Sequence, residues 1–201
     1  MKQINYKLTL TEPILGSQPA NPKIHSEFVA SKASKDKREE EIESIPEDGK
    51  GVTVFARDED GDPILWDYQI KGFFKDAAKM LRKIKGTESS KIKAYKQEID
   101  GLIFPTPRKI KIIMPEGSEI GTCERPLRAS TPMGERVALS SSEMIPAGSY
   151  LDFDVKFYDD SMEKWIDELF EYGKDRGLGQ WRNSGMGRFT WEKLGELQQL
   201  G

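Results

Sequence analysis

The sequence of 201 residues is poor in the side chains on which many enzymes and metal sites depend. Its one cysteine, Cys123, can form neither a disulfide nor a cysteine-based zinc site within one chain, and its one histidine, His25, has no second histidine beside which to act. No apolar run approaches the roughly 20 residues that span a bilayer, and the N-terminus lacks the apolar core of a signal peptide. We therefore expect a cytoplasmic protein with no membrane partner, no cofactor and no metal.

Charge is plentiful but unevenly distributed. Charged residues make up 32% of the chain and the formal net charge is −3. Residues 71–111 nevertheless hold 12 lysines and arginines against 4 acidic residues, a local charge of +8 that leaves −11 for the remainder. A polyanion responds to local potential rather than to net charge, so this segment favours nucleic-acid binding. A solvated helix surface would have the same composition, and both interpretations stay open here.

The hydrophobic pattern predicts an α+β fold. Strands are expected at 3–10, at two places within 52–70 around the turn Asp60-Gly61-Asp62, within 102–114, at 150–158 and at 188–194. Helices are expected over 72–84 and over 161–177, the second with Ser161 as the N-cap. A helical or irregular run is expected at 91–99. This order is the βαββαβ pattern of a ferredoxin-like (RRM-like) fold. We predict a single domain, 1–201, with an insertion at 16–66 and a lobe rich in Gly, Pro, Ser and Thr at 115–149.

The glycine-rich loop, residues 177–188, is the segment most suggestive of a ligand. In GLGQWRNSGMGRF, glycines allow close approach of backbone amides, arginines donate to phosphate, and tryptophan offers a stacking face. The spacing matches neither the dinucleotide fingerprint nor a P-loop. The loop is therefore either an anion cradle or a tight connection with its tryptophan in the core. The candidate phosphate-binding residues are Gly179, Trp181, Arg182, Asn183, Gly185, Gly187 and Arg188.

Two other features carry weaker hypotheses. His25 is a candidate general base for an endoribonuclease, with a surface residue as the simpler interpretation. The acidic run at 58–62 lacks the downstream glutamate of a calcium loop, so we expect an acidic hairpin turn. The run Lys71-Gly72-Phe73-Phe74 is similar to an RNA-binding strand motif, but here it opens a helix, which argues against that interpretation.

Three segments together resemble the RAMP superfamily, the repeat-associated proteins of CRISPR effector complexes. YQIKGFFKDAAKML resembles the motif that opens the first helix of that family. ERPLRASTPMGERVALSSSEMIPAGSYLDFDVKF resembles its arginine-containing thumb, and GLGQWRNSGMGRF is similar to its C-terminal glycine-rich loop. The matches fall in the family's order over residues 64–193. They are nearest to the backbone subunits, which stack along a guide RNA.

The resemblance implies that the first helix, the thumb-like lobe and the glycine-rich loop contact RNA. Asp67-Tyr68-Gln69-Ile70 replaces the small residues of the family's first motif. The aspartate that target-cleaving relatives carry after the first strand has Asp36 as its nearest match. The RNA-contacting residues implied outside the glycine-rich loop are Lys71, Gly72 and Lys75 at the start of the helix, and Arg125, Arg128 and Arg136 in the thumb.

Three functions follow as expectations. The first is a non-catalytic subunit that binds single-stranded RNA and self-associates along it, or joins CRISPR-type subunits in antiviral defence. The second is a stand-alone interaction protein, for example of phage origin, that inhibits a defence complex or sequesters a nucleotide signal. The acidic balance, with a pI near 5.5, favours that alternative. The third is an endoribonuclease that depends on His25.

Overall fold

The computed structural model describes residues 1–20, 52–131, 134–195 and 198–199, and the side chains at 126–139 lie outside the described part. Four α-helices and two largely antiparallel sheets make up the described part, so the expected α+β class is confirmed. The strands are β1 Lys2–Leu10, β2 Ile14–Leu15, β3 Gln18–Pro19, β4 Val52–Val54, β5 Ala56–Arg57, β6 Pro63–Trp66, β7 Ile103–Thr106, β8 Lys109–Ile113, β9 Gly121–Thr131, β10 Gly134–Ile145, β11 Tyr150–Phe157, β12 Phe189–Lys193 and β13 Gln198–Gln199. The helices are α1 Asp67–Leu81, α2 Glu88–Lys91, α3 Tyr95–Leu102 and α4 Ser161–Arg176.

The main sheet has the strand order β12-β1-β11-β8-β6-β5, with β7 also on β11 and β13 also on β1. The alternating residues of β1 explain its central place, because Ile4, Tyr6, Leu8 and Leu10 are each at most 2% exposed. They face the side of the sheet that α1 and α4 cover. Phe170 of α4 lies 4.9 Å, ring centre to ring centre, from Tyr6. Each such buried side chain contributes about 1.5–3 kcal/mol through removal of apolar surface from water.

The second sheet is built around a long hairpin of β9 and β10. The hairpin is antiparallel along its length, from Gly121 opposite Met144 to Thr131 opposite Gly134. It lies within the segment 115–149, where the sequence predicts a lobe. β10 also pairs with β2 and, in parallel, with β4, so the hairpin is joined to the segment that follows β1.

Two helix boundaries differ from the sequence-based expectation. α1 begins at Asp67, five residues before the expected start, since Gln69 Oε1 accepts the backbone N–H of Trp66 at 2.8 Å and closes the first turn. Ile70 is fully buried on the inner face of that turn. Ser161 is not the N-cap of α4 but its first residue, because Asp159 accepts both its N–H and its hydroxyl. The helical or irregular run expected at 91–99 overlaps two short helices, the last residue of α2 and the first five residues of α3.

The acidic run forms the expected hairpin turn between β5 and β6. Asp58 Oδ1 accepts the N–H groups of Asp60 and Asp62. Lys111 Nζ lies 2.6 Å from Asp62 Oδ2 and 3.3 Å from Asp58 Oδ2, so the turn already has a counter-cation. Burial alone would raise the pKa of Asp58, but the N–H of Asp62 and the Lys111 ammonium hold that pKa below its usual value.

Candidate nucleic-acid interface

A groove of about 300 Å³ lies between the first two turns of α1 and the glycine-rich loop. It joins three parts of the chain that are far apart in sequence: the segment after β2, α1 with the end of β6, and the start of the glycine-rich loop. We call this feature the groove. Its lining residues are Ser17, Leu65, Gln69, Gly72, Phe73, Leu178, Gly179 and Arg182.

The helix side of the groove is open at Gly72. A β-carbon placed on Gly72 would meet no atom within 4 Å, apart from its own helix backbone and its chain neighbours. Beside it, Gln69 Nε2 donates to the hydroxyl of Ser17 at 2.9 Å, which fixes this wall against the segment after β2. A flexible ligand backbone therefore has room to approach the helix at this point.

Lys71 and Lys75 belong to a different side of α1. Lys71 is the fifth residue of the helix, because α1 begins at Asp67. Its ammonium donates to the carbonyl of Asp100 at 3.1 Å and lies 4.3 Å from the ring centre of Phe104. Lys75 forms an ion pair with the Asp100 carboxylate at 2.5 Å. Neither lysine lines the groove.

The glycine-rich loop closes on itself through two glycines in the left-handed region. Gly177 has φ +75° and Gly187 has φ +71°. The N–H of Leu178 donates to the carbonyl of Gly187 at 2.8 Å. A β-carbon on Gly187 would lie 2.0 Å from Leu178 O, and one on Gly177 would lie 2.4 Å from Met186 O. The tight-connection interpretation therefore explains these two glycines.

The tip of the loop does not fit the tight-connection interpretation, which places the tryptophan in the core. Trp181 is 42% exposed and so is not a core residue. It has φ +53°, a left-handed conformation that a side chain rarely adopts. The guanidinium of Arg125, on β9, stacks 5.2 Å from the Trp181 ring centre. An exposed, oriented indole backed by a cation offers a platform for a flat ligand.

Arg125 carries a buried positive charge that is only partly satisfied. The residue is 8% exposed and Nη2 donates to Gln180 Oε1 at 2.9 Å, while Gln180 Nε2 donates to the carbonyl of Gly16. Its Nη1 has no hydrogen-bond partner among the residues the structure describes. A buried charge without a counter-charge is costly, and this guanidinium adds positive potential beside Trp181.

Asp76 forms ion pairs with Arg182 of the loop and with Arg176, the last residue of α4. Its Oδ2 accepts from Arg176 Nε at 2.9 Å and from Arg182 Nη1 at 2.8 Å. Arg176 also donates to Asn183 Oδ1, and Arg188 Nε donates to the carbonyl of Asp175. One carboxylate thus faces two guanidinium groups, which leaves local positive charge at the edge of the groove.

Several candidates are placed only in part. His25 and Asp36 lie outside the described residues. Arg128 lies on β9 and Arg136 on β10, but their side chains are outside the described part. Gly185 has φ +85°, and a β-carbon there would be in van der Waals contact with the Arg188 guanidinium, 3.5 Å from its Cζ.

Sequence reasoning missed three participants: Ser17, Asp76 and Gln180. Asp76 follows Gly72 by four residues and so shares its helix face, a signal that the spacing did contain. Gln180 lies inside the quoted loop, yet its amide bridges β9 and the segment after β2, which only the fold reveals.

The outer face of the main sheet differs in charge. Asn5 Nδ2 donates to Asp152 Oδ1 at 2.8 Å and to Asp154 Oδ1 at 3.1 Å, and Lys7 pairs with Glu192 at 3.4 Å. This face therefore presents carboxylates already engaged with their neighbours, and it repels a phosphate backbone.

The fold is similar to that of chains in two solved CRISPR complexes. One similar solved structure is a chain of the type III-B Cmr-beta complex bound to cognate target RNA, with a TM-score of 0.57 and 13% identity. The likeness covers 98% of this chain and 60% of that chain, so this chain spans well under two thirds of its length.

A second is a chain of a type IV-B CRISPR complex, with a TM-score of 0.51, 11% identity, and coverage of 96% of this chain and 90% of that chain. At these identities the likeness is one of fold. No protein-family model and no curated protein matches this sequence. None of the described helices is long and apolar enough to cross a membrane.

Proposed function

We propose that this protein is a non-catalytic, RNA-binding subunit of a CRISPR-type effector complex, which holds single-stranded RNA in the groove. The observation that carries the proposal is the juxtaposition of Gly72 with Gly179 and Arg182. These residues belong to the two segments that resemble the first and last RAMP motifs, and the fold brings them to one cleft. The likeness to a subunit of an RNA-bound complex supports the same reading.

We also propose that the core is ferredoxin-like. The strands β1, β8, β11 and β12, with α1 and α4, occur along the chain as βαββαβ. In the sheet they lie in the order β12-β1-β11-β8, which places the first and third of these strands at the centre. Under this assignment β2 to β6 belong to the insertion after the first strand, and the β9–β10 hairpin is the thumb-like element.

In this proposal each wall has its own role. The sugar-phosphate backbone passes Gly72, where a β-carbon would meet no other atom, and a phosphate meets Arg182. The buried guanidinium of Arg125 adds positive potential beside Trp181. A base stacks on Trp181, which is worth about 1–3 kcal/mol and is independent of base identity. None of these contacts reads a base edge, so we expect binding without sequence preference.

The test is to fill the groove without damaging the fold. Gly72→Leu places a good helix former in open space, whereas the matched Gly101→Leu does the same on α3, away from the groove. We expect Gly72→Leu to weaken binding of a polyuridylate oligonucleotide about tenfold, equivalent to about 1.4 kcal/mol, and Gly101→Leu to leave it unchanged. Fluorescence anisotropy at two salt concentrations gives the affinities, and thermal unfolding confirms that both variants fold.

If Gly72→Leu bound the oligonucleotide as tightly as the parent protein does, the proposal that RNA binds in the groove would be wrong. Self-association along RNA is tested in the same samples by light scattering. Particle mass should rise with oligonucleotide length and fall after nuclease treatment, while a small particle at every length would argue against stacking of subunits.

One observation favours the alternative, a stand-alone protein that binds a nucleotide or a protein partner. The groove, at about 300 Å³, is at the lower end of the size of small-ligand pockets, and Asp76 already offsets part of its positive charge. Under this alternative a mononucleotide competes with polyuridylate at micromolar concentration. Under the RNA proposal a mononucleotide competes only weakly, because it offers a single phosphate group.

A further inference from the structure

Six exposed cations gather where α1 ends and α3 begins, and none of them forms an ion pair with any residue that the structure describes. We call this set the lysine cluster. Only Glu88, which pairs with Lys91, supplies a carboxylate between residues 79 and 97. The members of the lysine cluster are Lys79, Arg82, Lys83, Lys85, Lys93 and Lys96.

The two halves of the cluster share one surface. Lys79, Arg82 and Lys83 follow one another at i, i+3 and i+4, which directs them to one side of α1 and of the turn that ends it. Arg82 stacks on Tyr95, at 5.2 Å from the ring centre. Tyr95 lies between Lys93 and Lys96 in the lining of a shallow depression of about 310 Å³ at the start of α3.

Cations elsewhere in the described part are commonly paired. Lys111 pairs with Asp62 at 2.6 Å and Lys193 with Asp167 at 2.8 Å. Arg182, at the groove, pairs with Asp76 at 2.8 Å. The lysine cluster is therefore a local excess of charge in a chain whose net charge is −3, rather than one part of a uniformly basic surface.

Helix stability accounts for only half of the cluster. Lys79, Arg82 and Lys83 lie at the C-terminal end of α1, where cations interact favourably with the helix dipole. Lys93 and Lys96 flank the N-terminal end of α3, where the same dipole disfavours them. The helix dipole therefore explains Lys79, Arg82 and Lys83 but not Lys93 and Lys96.

We propose that the lysine cluster is a second nucleic-acid site, which binds the phosphate backbone and is separate from the groove. Lysine is depleted in protein–protein interfaces, whereas it is a standard contact for phosphates that are bound without base recognition. α1 has 15 residues and is thus about 22 Å long, with the groove at its first two turns and the cluster at its last. The cluster shares no lining residue with the groove, so this proposal stands or falls independently of the proposed function.

The experiment compares two double variants of equal charge. Lys83→Ala with Lys96→Ala removes two members of the cluster. Lys156→Ala with Lys164→Ala removes two lysines that also lack an ion pair in the described part but lie on β11 and α4. The probes are a short polyuridylate that fills only the groove and a long one that extends past the helix. Their affinities are measured over a range of salt concentrations.

We expect the cluster variant to bind the long probe about tenfold more weakly at low salt. Its slope of log affinity against log salt should be smaller by about 1.4, since each phosphate contact with a single strand contributes about 0.7. The control variant should bind both probes like the parent protein. The short probe should be insensitive to the cluster variant and sensitive to Gly72→Leu, which separates the two sites.

Two results would overturn the proposal. One is an unchanged affinity and salt slope of the cluster variant for the long probe, which would leave an acidic protein surface as the partner. The other is an equal loss in the control variant, which would reduce the effect to overall charge. If the short probe fails to bind even the parent protein, the assignment of RNA to the groove is wrong. The long probe then still tests whether the lysine cluster binds nucleic acid.

Discussion

The two walls of the groove use glycine in opposite ways. On the loop side, Gly177 and Gly187 are pressed against backbone atoms, at distances that no β-carbon could tolerate. On the helix side, Gly72 faces open space. A glycine-rich motif is therefore no direct sign of a ligand, since two of the four glycines of the loop serve to close it. The single glycine in the neighbouring helix is the one that leaves room for a ligand.

The largest effect should come from a substitution on the loop side of the groove, where the glycines are packed against backbone atoms. Gly187→Ala combines a left-handed backbone, costing about 1–2 kcal/mol, with a steric clash against Leu178 worth about 1–3 kcal/mol. We expect the free energy of unfolding to fall by about 3 kcal/mol in urea denaturation. Gly117→Ala is the matched control, because Gly117 has φ +75° but no atom near its β-carbon position, and it should lose only about 1 kcal/mol. Equal losses would mean that the loop is not closed by packing.

The next effect concerns the charge beneath the loop. Arg125→Met keeps the length of the side chain and removes the buried guanidinium whose Nη1 lacks a partner in the described part. We expect polyuridylate affinity to drop about tenfold, or about 1.4 kcal/mol, while the free energy of unfolding stays within about 1 kcal/mol. A loss of stability with unchanged affinity would instead show that Arg125 stabilises the fold and does not contribute to RNA binding.

A gain of binding should follow when the arginines are released. Asp76→Asn removes the carboxylate that Arg176 and Arg182 share, so both become available to phosphate. We expect affinity to rise about threefold, or about 0.7 kcal/mol, with a steeper salt dependence. Asp100→Asn removes an equal charge that pairs with Lys75 outside the groove and should change affinity less. The same rise in both variants would show that overall charge, and not the groove, is responsible.

The last effect concerns the helix side of the groove, where Gly72 faces open space. Gly72→Ala adds a methyl group to a helix interior where nothing lies within 4 Å, so the free energy of unfolding should rise by about 0.5–1 kcal/mol. Thermal unfolding measures the change, with Gly101→Ala in α3 as the second open helical glycine. A loss of stability at Gly72 would break the comparison, because it would show that the helix side is packed as well.

The sequence predicted the regular elements better than the place where they meet. Strict alternation located β1 and β11, and helical spacing located α4, because each of these elements buries one face. The start of α1 was missed because the residue before it is Trp66, which is no capping residue, and because no turn or loop separates β6 from the helix. Local pattern carries no signal for such a boundary.

Candidate residues for the site could be named from the sequence, but their geometry could not. Gly179 and Arg182 line the groove, whereas the ammonium of Lys71 lies against Asp100 of α3, because the position of Lys71 in the helical turn decides its direction. The hydrogen bond between Ser17 and Gln69 joins residues 52 positions apart. It depends on the strand order of both sheets, which no short segment of sequence specifies.

The position of β1 has a consequence for how the protein is made. β1 is synthesised long before its neighbours β11 and β12, which begin at Tyr150 and Phe189. Such long-range pairing folds slowly and leaves unpaired strand edges exposed while the chain is growing. Because the glycine-rich loop lies just before β12, the groove cannot form on a growing chain until residues up to 188 have been synthesised.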